Sequence, residues 1–400
     1  MASGNAKGAL MERHYGLDWL RIGAFGLLIL YHVGMVFVPW DFHVKTAHPI
    51  DWVAIPMHAT NSWRLMLLFV VSGYASRALL KKSNRIGNFV GSRSKRLLIP
   101  LLFGVIVVVP IQPWIELTTQ HGYDGGFGWF WLHDYFRFGT FHNIVLPTWQ
   151  HMWFVGYLWF YTMALAGAVW LLRGHGLQAA FDRVFGTVAL VLLPIAWLFF
   201  VDMYLLPGAR ETHDLLRDPI AHVHYLPAFL FGFALARSTR TMAAIDRWWK
   251  AAGIVALLSY AVVAAIELRW PGSAMPYPYG YIFASARVIQ GWCAIVALIG
   301  LAERYWNRDH PWRWVLTEAV FPFYMIHQTI IVAVEWALLP YGLPPAVEFA
   351  ILVATTVAGC WTFYLVGREV GWLRPLIGLR GIITHRHELR PARLTPMETL

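Results

Sequence analysis

LDWLRIGAFGLLILYHVGMVFVP, residues 17–39, is the stretch on which the fold turns. It is long enough to cross a bilayer as one helix, because about 20 apolar residues span the hydrocarbon core. Yet it carries Asp18, Arg21 and His32. Ionisable groups at such depth are costly and mark a functional path by default. Arg21 and His32 stand eleven steps apart, which at about 100° per residue returns to nearly the same helical face, about 16 Å along the axis. Asp18 lies one turn before Arg21 and is placed to pair with it. The segment reads as a membrane helix with an ion pair near one end and an imidazole near mid-membrane on the same stripe.

The rest of the chain repeats this character. Its 400 residues are 58% hydrophobic and 14% charged, with mean hydropathy +0.51, whereas soluble domains carry about 25% charged residues. Ten apolar segments are expected to span, at 17–39, 53–79, 97–115, 149–172, 184–206, 222–236, 251–269, 280–302, 315–339 and 346–367. The expected fold is an all-α polytopic membrane protein of about ten transmembrane helices with both termini cytoplasmic. On that topology 24 of the 32 Lys and Arg are cytoplasmic, among them Lys7, Arg13, Arg173, Arg386, Arg390 and Arg393. Five lie outside, and Arg21, Arg64 and Arg287 lie within spans, as the positive-inside bias requires. The organisation expected is a cytoplasmic segment 1–16, a transmembrane domain 17–367 and a basic cytoplasmic tail 368–400. Residues 1–17 hold no uninterrupted apolar core, so the first span is expected to be retained.

The same bias accounts for the net charge of +10 and pI of about 9.7, and nucleic acid is not needed to explain them. Cys293 and Cys360 sit in apolar runs and suggest neither a disulfide framework nor a metal site. No metal is expected, and the His222/His224 spacing is poor for one on a helix. Gly-x-Ser-x-Gly and nucleotide-binding glycine fingerprints are missing, which argues against a serine hydrolase. The outer loop 115–149, with Gly125-Gly126-Phe127-Gly128-Trp129-Phe130-Trp131, suits either a sugar-stacking surface or an interfacial belt.

Further polar groups fall in or beside the spans. Asn61 and Arg64 precede Phe69-Val70-Val71-Ser72-Gly73, whose Ser72 and Gly73 suit close helix packing. Arg64 needs water or an anion, the latter on a substrate or on a protein carboxylate such as Glu335. Arg93-Ser94-Lys95-Arg96 is a dense cationic cluster at the cytoplasmic side, suited to positive-inside anchoring or to phosphates. His151 and Trp153 open the fourth span, and His327 is a second intramembrane imidazole; Arg287 and Glu335 are left without assigned partners.

Together these motifs resemble the acyltransferase 3 family of membrane O-acyltransferases. The resemblance rests on Arg21 and His32, on Phe69-Val70-Val71-Ser72-Gly73, and on Arg93-x-x-Arg96. Leu68-Phe69 departs mildly from the family's commoner aromatic pair. His151-Met152-Trp153-Phe154, Tyr225-Leu226-Pro227-Ala228-Phe229, Phe323-Tyr324-Met325-Ile326-His327 and Arg64 resemble the glucan biosynthesis protein C branch, the glucan succinyltransferases. The resemblance implies a ten-helix bacterial inner-membrane enzyme. Its donor would be a cytoplasmic acyl-CoA, succinyl-CoA or acetyl-CoA, and its acceptor a hydroxyl of a periplasmic glycan such as osmoregulated periplasmic glucan.

The roles expected are catalytic for His32, Arg21 and Asp18; donor-binding for Arg93, Arg96 and Arg21; and substrate-binding for Arg64, Asn61, His151, Trp153 and His327. His32 would take the acceptor's proton or briefly carry the acyl group. The partners expected are the lipid bilayer, the acyl-CoA and the glycan. A transporter would also explain the intramembrane polar groups, though not Arg93 and Arg96, and matched broken helices are not evident. A non-catalytic membrane partner or sensor is the third reading, and an acetyl donor or a lipid-linked acceptor stays open within the enzyme class.

Overall fold

Apolar segments that leave water must close their backbone hydrogen bonds internally, and as single chains they do so as helices. The computed structural model describes residues 14–172, 176–273 and 275–381. Lys7, Arg13, Arg173, Arg386, Arg390, Arg393 and most of the expected tail 368–400 lie outside the described residues.

The helices are α1 (Tyr15–Phe37), α2 (Ala54–Asn61), α3 (Arg64–Lys82), α4 (Ile86–Phe103), α5 (Ile111–Gln120) and α6 (Phe127–Trp129). After a short antiparallel hairpin, β1 (Gly139–Phe141) with β2 (Ile144–Leu146), come α7 (Trp153–Leu171), α8 (Leu177–Phe185), α9 (Ala189–Phe200) and α10 (Pro219–Leu235). The chain continues through α11 (Thr239–Arg269), α12 (Tyr279–Tyr305), α13 (Pro311–Leu338), α14 (Pro345–Glu369) and α15 (Leu373–Leu376).

Each of the ten expected segments is helical, but not all as simple spans. By length and composition, eight helical stretches among the described residues are able to cross a membrane. The fifth expected span is a pair, Leu177–Phe185 and Ala189–Leu205, bent by 97°. Gly186 ends α8, and the Thr187 hydroxyl accepts from Ala189 N at 3.2 Å to start α9 afresh. The sixth, α10, has only 17 residues. It lies inside the bundle against α3, so it need not match the bilayer thickness. The contact is backbone to backbone: a Cβ on Gly73 would overlap the Phe229 carbonyl, and one on Gly232 would overlap that of Val70. Gly73 thus packs as expected, and the small residue lets two helices approach closely.

Prolines interrupt several spans, and each removes the N–H that would serve the carbonyl four residues earlier. Three of the freed carbonyls are met by tryptophan. Trp131 Nε1 donates to Ile106 O (2.7 Å) ahead of Pro110, and Trp292 Nε1 to Leu190 O (2.8 Å) ahead of Pro194. Trp197 Nε1 donates to Val223 O (2.9 Å) ahead of Pro227. Part of the tryptophan content therefore repairs the proline breaks along the helices, beyond the interfacial belt.

Both described ends lie in one layer. His14 meets Glu303 at the end of α12 (2.6 Å), Asp18 meets Arg313 at the start of α13 (2.9 Å), and Arg374 after α14 meets Glu318 (3.5 Å). The opposite layer joins the 38–50 loop to α5 and α14 through His43–Glu116 (2.5 Å) and Thr46–Glu348 (2.6 Å). There the outer loop folds on a small core of Leu117, Phe130, Tyr135 and Leu146, leaving Trp129 and Phe138 exposed.

Candidate active site

The imidazoles of His32 (α1), His327 (α13) and His151 (just before α7) converge. The ring centroids of His32 and His327 are 5.0 Å apart, and those of His151 and His327 are 5.1 Å apart. Hydrogen bonds to carbonyls fix which nitrogens carry protons, because a carbonyl only accepts. His327 Nδ1 lies 2.7 Å from Tyr324 O and must donate to it. In the neutral ring this leaves His327 Nε2 as an acceptor, 3.0 Å from His32 Nδ1. His32 Nδ1 therefore donates, and His32 Nε2 keeps its lone pair. His327 is wholly buried and His151 nearly so, while His32 retains partial exposure. His32 is thus the least buried of the three histidines.

His151 is held by the same helix. Its Nε2 donates to Met325 O (3.1 Å), and its own carbonyl accepts from the Tyr324 hydroxyl. Beyond it runs a buried amide network. Glu116 accepts from His43 Nδ1, Gln328 Nε2 donates to His43 Nε2 (2.9 Å) and to Gln112 Oε1 (3.1 Å), and Gln112 Nε2 donates to Thr329 (2.7 Å). This network ties α5 and the 38–50 loop to α13, so it sets the height of His327. Gln112 and Gln328 were not singled out from the sequence; an uncharged amide in the middle of an apolar run was the available signal.

Arg64 stands beside this centre. Its guanidinium carbon lies 3.6 Å from the Tyr31 ring centroid, and Nη1 donates to Thr60 (3.3 Å). Among the described residues no carboxylate pairs with it. The Glu335 alternative does not hold: Glu335 is fully buried and lies instead within reach of Glu348 and Lys45. Lys45, in the 38–50 loop, donates to the carbonyls of Met35 (2.6 Å), Val38 and Trp40 (3.0 Å), closing the end of α1. Burial lowers its pKa to about 8, partly opposed by Asp41 and Glu335. Arg287 reaches His58 Nδ1 (3.4 Å).

In the layer that holds both described ends the expectation for Asp18 is corrected. It forms an ion pair with Arg313, which also holds Asp309 (2.7 Å), so a hydrogen bond from Arg313 stands where pairing with Arg21 was expected. A residue 295 positions away could not be anticipated from helical spacing. The charge of Asp18 still reaches Arg21. Arg21, Arg93 and Arg96 act on one another electrostatically, and the Nε atoms of Arg21 and Arg93 are buried without hydrogen-bond partners. The three arginines thus form one basic mouth below His32.

Trp153 is not part of the imidazole centre: it stacks on His213 (4.2 Å) in the loop that precedes α10. Asn61 closes α2, three residues before Arg64. His222 is bonded to Leu215 O and Tyr161, and His224 to Asp202 (2.7 Å). Among the described residues no group of three or more His, Cys, Asp or Glu is arranged to hold a metal ion.

A family model described as an acyltransferase domain matches residues 14–365. Over 149 residues the chain is 28% identical to glucans biosynthesis protein C of Escherichia coli (strain SMS-3-5 / SECEC) and 27% identical to that of Shigella boydii serotype 4 (strain Sb227). Each match covers 36% of this chain and 36% of the relative, so the chain spans about a third of the length of the curated relatives it matches. No solved structure matches it.

Proposed function

The chain belongs to the acyltransferase 3 family, and from that premise we propose that it transfers a succinyl group from cytoplasmic succinyl-CoA to a hydroxyl of a periplasmic glycan, such as osmoregulated periplasmic glucan. Family membership makes it a multi-pass membrane acyltransferase acting on groups other than aminoacyl groups. The bacterial inner membrane is the proposed location.

The observation that carries the reading is the chain Tyr324 O, His327, His32, which leaves Nε2 of the partly exposed His32 unprotonated. His32 Nε2 takes the acceptor hydroxyl's proton as its oxygen attacks the thioester carbonyl. The new bond is oxygen to acyl carbon; the bond broken is carbon to sulfur. The leaving thiolate takes the proton back from His32, releasing free CoA thiol and restoring the neutral ring. While the ring is charged, His327 Nε2 accepts from His32 Nδ1 and stabilises it.

Arg93, Arg96 and Arg21 hold the donor's phosphates and guide the pantetheine arm towards His32. Asp18 acts through Arg313 and the charge it presents to Arg21. His151 and His327 line the acceptor side with Asn61, Arg64 reads an anionic group on the substrate, and Trp153 supports the wall beside them through His213 and Tyr225.

The test is product mass. Purified protein in lipid discs is given succinyl-CoA or acetyl-CoA with a neutral periplasmic-type glucan, with His32→Ala alongside. A His32-dependent gain of one succinyl unit supports the proposal. A His32-dependent gain of acetyl alone replaces the donor. Normal transfer by His32→Ala removes His32 from the mechanism.

A further inference from the structure

The helical ladder is interrupted beside His32, at a point where a membrane helix would ordinarily run straight through. α2 ends at Asn61, Ser62 and Trp63 turn, and α3 begins at Arg64. The carbonyls released at the end of α2 are taken by side chains: Trp63 Nε1 on Ala59 O (2.7 Å) and Gln290 Nε2 on His58 O (3.0 Å). α12 comes close enough that a Cβ on Gly291 would stand 2.8 Å from Ser62 O. One side of the break is therefore satisfied.

The other side is not. The first N–H groups of any helix have no intrahelical acceptor, and α3 makes its first return bond at Leu67 N to Trp63 O (2.8 Å). Around this end Ser62 Oγ and Arg64 Nε are buried with no hydrogen-bond partner, and Arg64 as a whole is 3% exposed. Arg287 arrives from α12, and its charge and that of Arg64 both act on Tyr31. Among the described residues neither guanidinium has a carboxylate within ion-pair distance. Arg287 is nonetheless oriented: Glu267 lies 3.3 Å from His58 Nε2, which must donate to it, so the neutral ring turns its Nδ1 lone pair to Arg287 at 3.4 Å.

A buried guanidinium, a second partly buried one, an unpartnered hydroxyl and a helix N-terminus gathered about Tyr31 and the break suit an anion, and a planar carboxylate suits paired guanidiniums best. We infer that the α2–α3 break binds the free carboxylate of a short dicarboxylic acyl group, with Arg64, Arg287 and Ser62 as its ligands. His58 and Glu267 are positioning residues for Arg287. The inference rests on the acyl-transfer reading and deepens it, naming the structural basis of acyl choice and a second arginine that enforces it. The reach fits. Tyr31 separates Arg64 from His32, with 3.6 Å from the Arg64 guanidinium to the Tyr31 ring and 5.9 Å from that ring to the ring of His32. A four-carbon diacid covers about 4 Å between its end carbons, and hydrogen bonds add about 3 Å at each end.

Arg64→Gln and Arg287→Gln are assayed with succinyl-CoA and with acetyl-CoA on one neutral glucan. The expected result is a fall of about tenfold or more in the succinyl-to-acetyl ratio of kcat/KM in each variant, with partial recovery in Arg287→Lys. The ratio is internal to each preparation, so unfolded protein does not move it; an unchanged ratio overturns the inference. Acetyl transfer to a glycan bearing uronic acids, compared with a neutral one, separates the sources. If the arginine variants lose only that preference, the carboxylate belongs to the acceptor and the acyl assignment is overturned. Succinate titrated calorimetrically into wild type and Arg287→Gln, with acetate as control, reads the site without turnover, and binding indifferent to Arg287 overturns it. Normal transfer by His32→Ala would sink the catalytic reading alone, because succinate binding does not depend on it.

Discussion

His327 Nε2 stands 3.0 Å from His32 Nδ1, and because Tyr324 O holds the other nitrogen of His327, this contact fixes the tautomer of His32. The reactive nitrogen of His32 is thus set by a residue on another helix. His327→Ala keeps the base but releases its tautomer and removes the partner of the imidazolium. We expect kcat to fall about 100-fold or more, with the KM for donor nearly unchanged. His32→Ala falls to background. A rise in donor KM with unchanged kcat in His327→Ala would remove the orienting role.

The basic mouth makes a separate prediction. If Arg93 and Arg96 hold donor phosphates, Arg93→Ala raises the KM for acyl-CoA about tenfold, the weight of about 1.4 kcal/mol. The same variant responds less when the donor is an acyl-pantetheine without the nucleotide. Equal losses on both donors would make Arg93 an anchor of the fold instead. The comparison is read at low and high salt, since exposed charge–phosphate contacts are screened.

The α3–α10 contact predicts a stability effect at a glycine. Gly73→Ala and Gly232→Ala each set a methyl group against a carbonyl oxygen of the facing helix. We expect a loss of about 2 kcal/mol or more from overpacking, seen as a lower melting temperature in detergent. Gly87→Ala is the control, because nothing lies within 4 Å of its added Cβ.

Trp292 and Pro194 predict a compensating pair. Trp292→Phe leaves the buried Leu190 carbonyl without its donor, at a cost of about 1–3 kcal/mol. Adding Pro194→Ala returns an N–H four residues on, and the double variant recovers part of that loss. Strict additivity in a double-mutant cycle would show that the indole is not replacing the missing helix bond.

Lys45 predicts a pH effect on stability. Its pKa is lowered to about 8 in the folded protein against 10.5 for the free side chain. Between those values the unfolded state binds more protons, so stability rises with pH. The contribution is fully present above 10.5 and is lost as pH falls through 8. Relative to Lys45→Met, the wild-type melting temperature should therefore climb from pH 8 to 10. A flat difference would place the amine in water.

Much of the architecture was legible in the chain itself. Hydropathy marked ten segments that are helical, and the burden of placing charge in lipid singled out Arg21, His32, Arg64 and His327 before any contact was known. Less legible were the forms of the fifth and sixth segments. Run length reveals neither a 97° bend at Gly186 nor that α10 is sheltered by α3.

The partners were the part hidden from sequence. Local spacing gave Asp18 to Arg21, and the fold brings Arg313 to it. Gln112, Gln328, Tyr31 and Ser62 carry no charge, so hydropathy passes over them, yet they border the centre. Composition and periodicity by themselves determined that this chain makes membrane helices and which of its residues are too polar to sit there without a purpose. Only the tertiary structure decided which nitrogen of His32 is free and which guanidiniums meet at the α2–α3 break, because hydrogen bonds between residues hundreds of positions apart depend on how helices pack, and helical period encodes only the face each residue occupies.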